Sequence, residues 1–144
     1  MNPPPAGWPR IASAVFYDDA AEAIEWLCKT FGFHAELVVK DDQGRVVHSQ
    51  LSFGEGMIMV GQTGKSERPH VQSPRSLDGA NTQSLCVVVD DADAHCESAR
   101  AAGAEILMEP ATQDYGPGYW IDRTYEARDL EGHRWWFLQR VKTY

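Results

Sequence analysis

Val15-Phe16-Tyr17-Asp18-Asp19-Ala20 returns further along the chain as Val88-Val89-Asp90-Asp91-Ala92. In both places a β-branched or aromatic run, the pattern of a strand, meets aspartates and a small residue, the pattern of a capped helix start. Asp18 and Asp90 lie 72 residues apart. A second pair of stretches follows the same rule: Glu55-Gly56 ahead of Met-Ile-Met-Val and Glu131-Gly132 ahead of His-Arg-Trp-Trp-Phe, 76 residues apart. Two copies of one small unit, in the same internal order, decide the architecture, because a unit too small to bury its own apolar face must pack on the other. They also say where a site is expected: in the groove the two units form together.

Outward from the first repeat, residues 10–62 read as one βαβββ module. A strand runs from Ile11 to Tyr17. Asp19 caps a helix, with Glu22 completing a D-x-x-E box. Ala20, Ala23, Ile24, Leu27, Cys28 and Phe31 form its apolar stripe, and Gly32 ends it. Strands are expected at His34 to Lys40, Arg45 to Phe53 and Met57 to Gly61, separated by turns at Asp41-Asp42-Gln43-Gly44 and Gly54-Glu55-Gly56. Residues 63–82 are polar, hold Pro69, Pro74, Gly64 and Gly79, and read as a linker.

The second module, residues 83–141, repeats the plan. Leu85 to Val89 is a strand, Asp91 caps a helix ending at Gly103, and Ala104 to Met108 is a strand. A long loop from Glu109 to Ile121 carries Gly116-Pro117-Gly118 between Tyr115 and Tyr119-Trp120. Strands Asp122 to Arg128 and His133 to Val141 flank a turn at Asp129-Leu130-Glu131-Gly132. Residues 1–9, with Pro3-Pro4-Pro5 and Pro9, read as an extended lead.

The chain has 144 residues, a net charge of −8 and 24% charged residues. That length supports one domain with a real core. The acidic balance argues against nucleic acid, which needs a basic face. No apolar run reaches the ~20 residues of a membrane helix, and the lead lacks the basic and apolar parts of a signal peptide. Cys28, Cys86 and Cys96 are odd in number and lack metal spacing, so they read as reduced core thiols of a cytoplasmic protein.

Taken in order, the two βαβββ modules, the D-x-x-E helix start with its Phe31-Gly32-Phe33 exit, and the Asp129-x-x-Gly132-His133 turn into an aromatic strand resemble the vicinal oxygen chelate superfamily. That group includes glyoxalase I, bleomycin-resistance proteins and extradiol dioxygenases. Ala101-Ala102-Gly103-Ala104-Glu105 with Asp-x-x-Gly-His-x-Trp is most similar to its small, PhnB-like branch. The resemblance implies an α+β fold in which each module supplies half of an open, U-shaped mixed sheet, with helices on the convex side and ligand on the concave side. In metal-dependent members, His, Gln or Glu from the first and fourth strands of each module hold a divalent ion. Members commonly pair as homodimers, sometimes with modules arranged across chains.

Registering this sequence on the family pattern puts those four positions at Ala12, Val60, Ser84 and Trp136. A register one residue away would give Ile11, Ser13, Met59, Gln83 or Trp135. Neither set assembles a metal site. No metal and no cofactor are therefore expected.

Strand alternation then assigns what faces the cavity. With Ser84 and Trp136 facing in, Arg134 and Leu138 do too, while Leu85, Val87, Val89, Trp135 and Phe137 face the helices. On the third strand, Val47, Ser49, Leu51 and Phe53 share the helix side, and His48, Gln50 and Ser52 the other. Their repeat equivalents are Thr124, Glu126 and Arg128. The expected ligand-binding set is Phe16, His48, Gln50, Ser52, Ser84, Glu126, Arg128, Arg134 and Trp136, with Tyr115 and Trp120 on a loop that could close over a flat ligand. Asp129 and Gly132 read as turn residues only.

Two functional classes follow. One is a binding protein that sequesters a small aromatic molecule. The other is a metal-independent isomerase or lyase with His48 or Glu126 as general base and Arg128 or Arg134 steadying an oxyanion. A metal-dependent glyoxalase or dioxygenase fits less well.

Overall fold

The computed structural model describes residues 1–144. The first module holds strand β1 (Ser13–Tyr17), helix α1 (Ala20–Phe31) and strands β2 (His34–Lys40), β3 (Val46–Phe53) and β4 (Gly56–Gln62). The second holds β5 (Leu85–Val88), α2 (Ala92–Ala101), β6 (Glu105–Asp114), β7 (Trp120–Arg128) and β8 (Arg134–Thr143). Each module is a four-stranded mixed sheet, ordered β1-β4-β3-β2 and β5-β8-β7-β6. In each, the first strand runs parallel to the last and the other neighbours are antiparallel. The α+β, two-module reading holds. No helix is long and apolar enough to cross a membrane.

Local chemistry sets the helix ends. The Asp19 carboxylate accepts from Glu22 N at 3.1 Å, and Asp91 accepts from Ala94 N at 2.9 Å. Gly32 closes α1 in the left-handed region, at φ 90°. The buried stripe of α1 is Ala20, Ala23, Ile24, Leu27 and Phe31, as its spacing requires.

Each sheet buries one face under its own helix, and the two cores merge into one cluster of 21 residues. Phe31 of α1 meets the rings of Phe137 at 4.8 Å and Trp135 at 5.6 Å, and Phe33 meets Trp135 at 5.6 Å. Helix α1 also touches α2. The modules thus pack back to back through their helical sides. The opposite, uncovered faces of the two sheets point away from this shared core.

A buried carboxylate clasp locks the modules together. Asp129 Oδ2 accepts from Tyr17 Oη at 2.5 Å and Trp135 Nε1 at 3.0 Å, while its Oδ1 accepts from the backbone N of Glu131, Gly132 and His133. Glu131 accepts from the backbone N of Asp18 and Asp19 and from the Ser73 hydroxyl. Both acids, read from the sequence as turn positions, are almost fully buried. Gly132 has φ 103°, and a Cβ there would lie 3.2 Å from Pro74, so any other residue would strain the turn.

Four local expectations change. A bulge in the β2–β3 ladder between Val39 and Lys40 turns Val46 inward and leaves Val47 52% exposed, reversing the expected face at that point. The β7–β8 turn is one residue longer than the β3–β4 turn: Leu51 pairs Ile58, whereas Ala127 pairs Trp135. The loop at Glu109 to Ile121 is mostly strand, with β6 running on to Asp114 and only residues 115–119 turning. Cys86 is exposed rather than a core thiol, while Cys96 is buried and Cys28 half-buried.

Candidate functional site

The uncovered face of the first sheet is mainly apolar. Phe16 stands on β1 beside Gly61 of β4, and a Cβ at Gly61 would come within 2.8 Å of the Phe16 ring. Glycine therefore makes the seat on which Phe16 lies. Met57 and Met59 alternate on β4 with Ile58 and Val60, which are buried in the core. Leu37 and Val39 of β2 are each 42% exposed on the outer part of this sheet. Polar groups sit along β3: the ring Nε2 of His48 lies 3.0 Å from the Gln50 amide, and Ser52 donates to Glu36 at 2.5 Å.

The uncovered face of the second sheet is aromatic and charged. Arg134, Trp136, Leu138 and Arg140 alternate along β8 against Trp135 and Phe137, which are fully buried on the other side. Opposite them on β7, Asp122 pairs in register with Arg140, Thr124 with Leu138, Glu126 with Trp136, and Arg128 with Arg134. Glu126 is 6% exposed and accepts from Arg134 Nε at 2.5 Å. Asp122 is 3% exposed and takes the guanidinium of Arg140, which stacks on the Trp120 ring at 4.6 Å. Arg128 reaches Glu105 at 3.3 Å, and its Nε is buried without a partner. Cys86 on β5 lies near Asp122; partial desolvation of this exposed residue, helped by that carboxylate, pushes its thiol pKa up.

The structure thus brings Phe16, His48, Gln50 and Ser52 onto one outer face and Ser84, Glu126, Arg128, Arg134 and Trp136 onto the other module. Within one chain Phe16 and Arg134 border one small cavity at the module junction, but His48, Gln50 and Ser52 do not face Glu126, Arg128 and Trp136 across a single concave groove. Tyr115 and Trp120 flank the tip of the β6–β7 hairpin, their rings 6.2 Å apart. Sequence reading missed Asp122 and Arg140, although extending the alternation 122-124-126 and 134-136-138 by one step would have reached both.

At the four family metal positions the chain offers no ligand set. The longer second turn moves the structural counterpart of Trp136 to Met59, because Met59 pairs Ala14 where Trp136 pairs Cys86. Val60 instead faces the core, its backbone held by the Ser49 hydroxyl at 2.6 and 2.8 Å. Ala12, Met59, Ser84 and Trp136 provide no carboxylate or imidazole, and no three His, Cys, Asp or Glu side chains converge elsewhere. These residues do not fit a divalent ion.

Two cavities lie where the modules meet. The larger, about 880 Å³, is a groove along the free edge of β5, walled by Phe33, Phe53, Ile58, Leu85, Val87 and Trp135. The smaller, about 300 Å³, lies between β1 and the start of β8 under the segment that joins the modules. Deeper still, His95 bridges the modules: its Nε2 donates to the Phe31 carbonyl at 2.8 Å, so its Nδ1 accepts from Tyr125 Oη at 2.5 Å. Burial holds its pKa below the usual histidine value, against the pull of that carbonyl, and it is a core group rather than a base.

The family model for the Glyoxalase/Bleomycin resistance protein/Dioxygenase superfamily matches residues 10–137. TioX from Micromonospora sp. ML1 is 29% identical, superposes with a TM-score of 0.68, and is matched over 94% of this chain and 99% of that one. An uncharacterized protein of Mycobacterium tuberculosis strain H37Rv is 29% identical over 140 residues, covering 93% of this chain and 76% of the relative. The fosfomycin resistance protein FosX from Listeria monocytogenes is 11% identical, with a TM-score of 0.61 over 92% of this chain and 93% of that one, a likeness of fold alone.

Proposed function

We propose that this chain, which belongs to the Glyoxalase/Bleomycin resistance protein/Dioxygenase superfamily, captures a flat small molecule by stacking, without a metal, in a groove that a second copy completes. The observation that carries this reading is the arrangement on the second sheet. The two β7 carboxylates of that face, Glu126 and Asp122, are buried behind an arginine, Glu105 at its rim is paired with Arg128, and what remains for contact is Trp136, Trp120 and guanidinium planes. Such surfaces hold aromatic ligands through stacking and cation–π contact.

The same arrangement disfavours proton abstraction. Glu126 is 6% exposed and its Oε1 accepts from Arg134 at 2.5 Å, so little of the carboxylate is open to a substrate. His48 has the Gln50 amide as its partner and no acid to orient it. Sequestration therefore fits better than isomerase or lyase chemistry.

The second copy follows from where the two faces lie. Strands β1 and β5 each pair on one side only and leave a parallel edge open, an arrangement that normally needs cover. Val88 on β5 is 66% exposed, and the apolar 880 Å³ groove runs along the same edge. Setting β1 of one protomer beside β5 of its partner places the Phe16 face next to the Trp136 face and covers that edge. The assembly is a homodimer with two equivalent cavities.

The test is a fluorescence titration with acridone, a neutral planar fluorophore, in the presence of EDTA. Saturable binding that Trp136→Ala weakens by about tenfold, the loss of one good stacking contact, supports the reading. Binding that appears only after a divalent metal is added contradicts it.

A further inference from the structure

The 300 Å³ cavity is contained in one chain and needs no second copy. Its apolar lining includes Phe16, Val71 and Leu77, and its roof is the inter-module segment. None of its 16 lining residues is Asp or Glu, in a chain with 21 such residues among 144. The one permanently charged residue that lines it is Arg134. The larger groove at the other inter-module junction has the reverse character: Glu55, Asp90 and Asp91 line it, with no Lys or Arg. Two junctions of one duplicated scaffold thus carry opposite electrostatics.

We propose that the smaller cavity binds a small organic anion: a single carboxylate on a compact apolar body, with the carboxylate on Arg134 and the body against Phe16 and Leu77. Glu126 holds the Nε of Arg134 at 2.5 Å, and the terminal nitrogens of that guanidinium have no protein partner. A fixed guanidinium with a free donor pair matches the two oxygens of a carboxylate. The roof is tied down on both sides. Asn81 Oδ1 accepts from Arg134 N at 3.2 Å, and Asn81 Nδ2 donates to the Gly79 and Gly132 carbonyls at 3.0 Å. The close approach of Pro74 to Gly132 holds the other end. The cavity is therefore preformed, and its volume is at the lower end of small-molecule sites. This site stands apart from the stacking groove, although Phe16 and Arg134 border both.

Isothermal titration with sodium benzoate and with benzamide, its neutral counterpart of the same shape, tests the proposal. Benzoate is expected to bind at least about tenfold more tightly than benzamide, the worth of one charge-assisted contact. Arg134→Gln is expected to abolish that preference. The double variant Glu126→Gln/Arg134→Gln, which leaves no unpaired buried carboxylate, should do the same if the single variant is unstable. Leu77→Trp, a change at a half-open roof position, should weaken both ligands. Equal binding of benzoate and benzamide, retention of the preference in the double variant, or no benzoate binding by about 20 mM overturns the proposal. Trp136→Ala should leave benzoate binding intact while weakening acridone capture about tenfold. Loss of benzoate with Trp136→Ala would instead put the anion on the outer sheet face and overturn the cavity assignment without touching the stacking groove.

Discussion

Replacing Asp129 by alanine should cost this protein a large share of its stability, although sequence patterning marks the position only as a turn. The carboxylate is 5% exposed and accepts five hydrogen bonds: from Tyr17 Oη, from Trp135 Nε1 and from three backbone N–H groups. Removing it orphans two buried side-chain donors, each costing roughly 1–3 kcal/mol, and frees turn amides that water reaches only in part. The expected loss is about 4 kcal/mol, against the ~5–15 kcal/mol that holds a typical domain together. Tyr17→Phe removes one donor and leaves Asp129 four others, so it should cost only about 1 kcal/mol. Urea unfolding followed by tryptophan fluorescence measures both. A loss below about 1 kcal/mol for Asp129→Ala, or equal losses for the two variants, refutes the clasp as the element that joins the modules. The clasp also has a pH signature. Burial pushes the Asp129 pKa up, but His133, Tyr17 and Trp135 outweigh it and hold the group below the ordinary carboxylate range. A depressed folded pKa gives stability that is present above the unfolded value of about 4 and lost as pH falls below it. Asp129→Ala should lack that part of the acid transition.

Two further outcomes are expected. His95 is held neutral by burial, so the unfolded chain takes up a proton near pH 6.5 that the folded chain refuses; stability should fall as pH drops below about 6.5, and His95→Gln should flatten that slope in pH-dependent urea midpoints. Val88→Arg places a charge on the open β5 edge, where the side chain is 66% exposed; sedimentation velocity should show a shift from dimer to monomer with little change in monomer stability, and an unchanged sedimentation coefficient would speak against β5 as the contact.

Much of the fold was legible because its signals are local. The Asp19 and Asp91 caps, the Gly32 stop and the alternation of Trp135 and Phe137 against Arg134, Trp136 and Leu138 are short-range patterns, and the structure keeps each of them. What the sequence concealed depends on register and on contacts between distant residues. One extra residue in the β7–β8 turn moves the partner of Trp136 from Val60 to Met59, and counting from the turn glycines cannot reveal it. The bulge that exposes Val47 depends on how β2 meets β3. Asp129 and Glu131 look like ordinary turn acids, and only the arrival of Tyr17, Asp18 and Ser73 from more than 50 positions away gives them their role. At the candidate site, alternation located Glu126, Arg134 and Trp136 on one face, but the pairing of Glu126 with Arg134, which occupies the carboxylate, is a matter of cross-strand geometry. The back-to-back packing that separates Phe16 from Trp136 was equally invisible, since both ways of arranging two modules leave the same pattern in each.

That separation supplies the most direct test of a stacking groove built across two chains. In the proposed homodimer each cavity takes Phe16 from one protomer and Trp136 from the other, so Phe16→Ala and Trp136→Ala should each spoil both cavities in their own way. When the two variants are unfolded together, refolded as an equal mixture and titrated with acridone in EDTA, half of the dimers are mixed and each carries one intact cavity. Tight acridone binding should therefore return at about a quarter of the wild-type capacity. No return of tight binding in a mixture whose subunits have exchanged would contradict the account, because a groove contained in one chain stays defective in every partner.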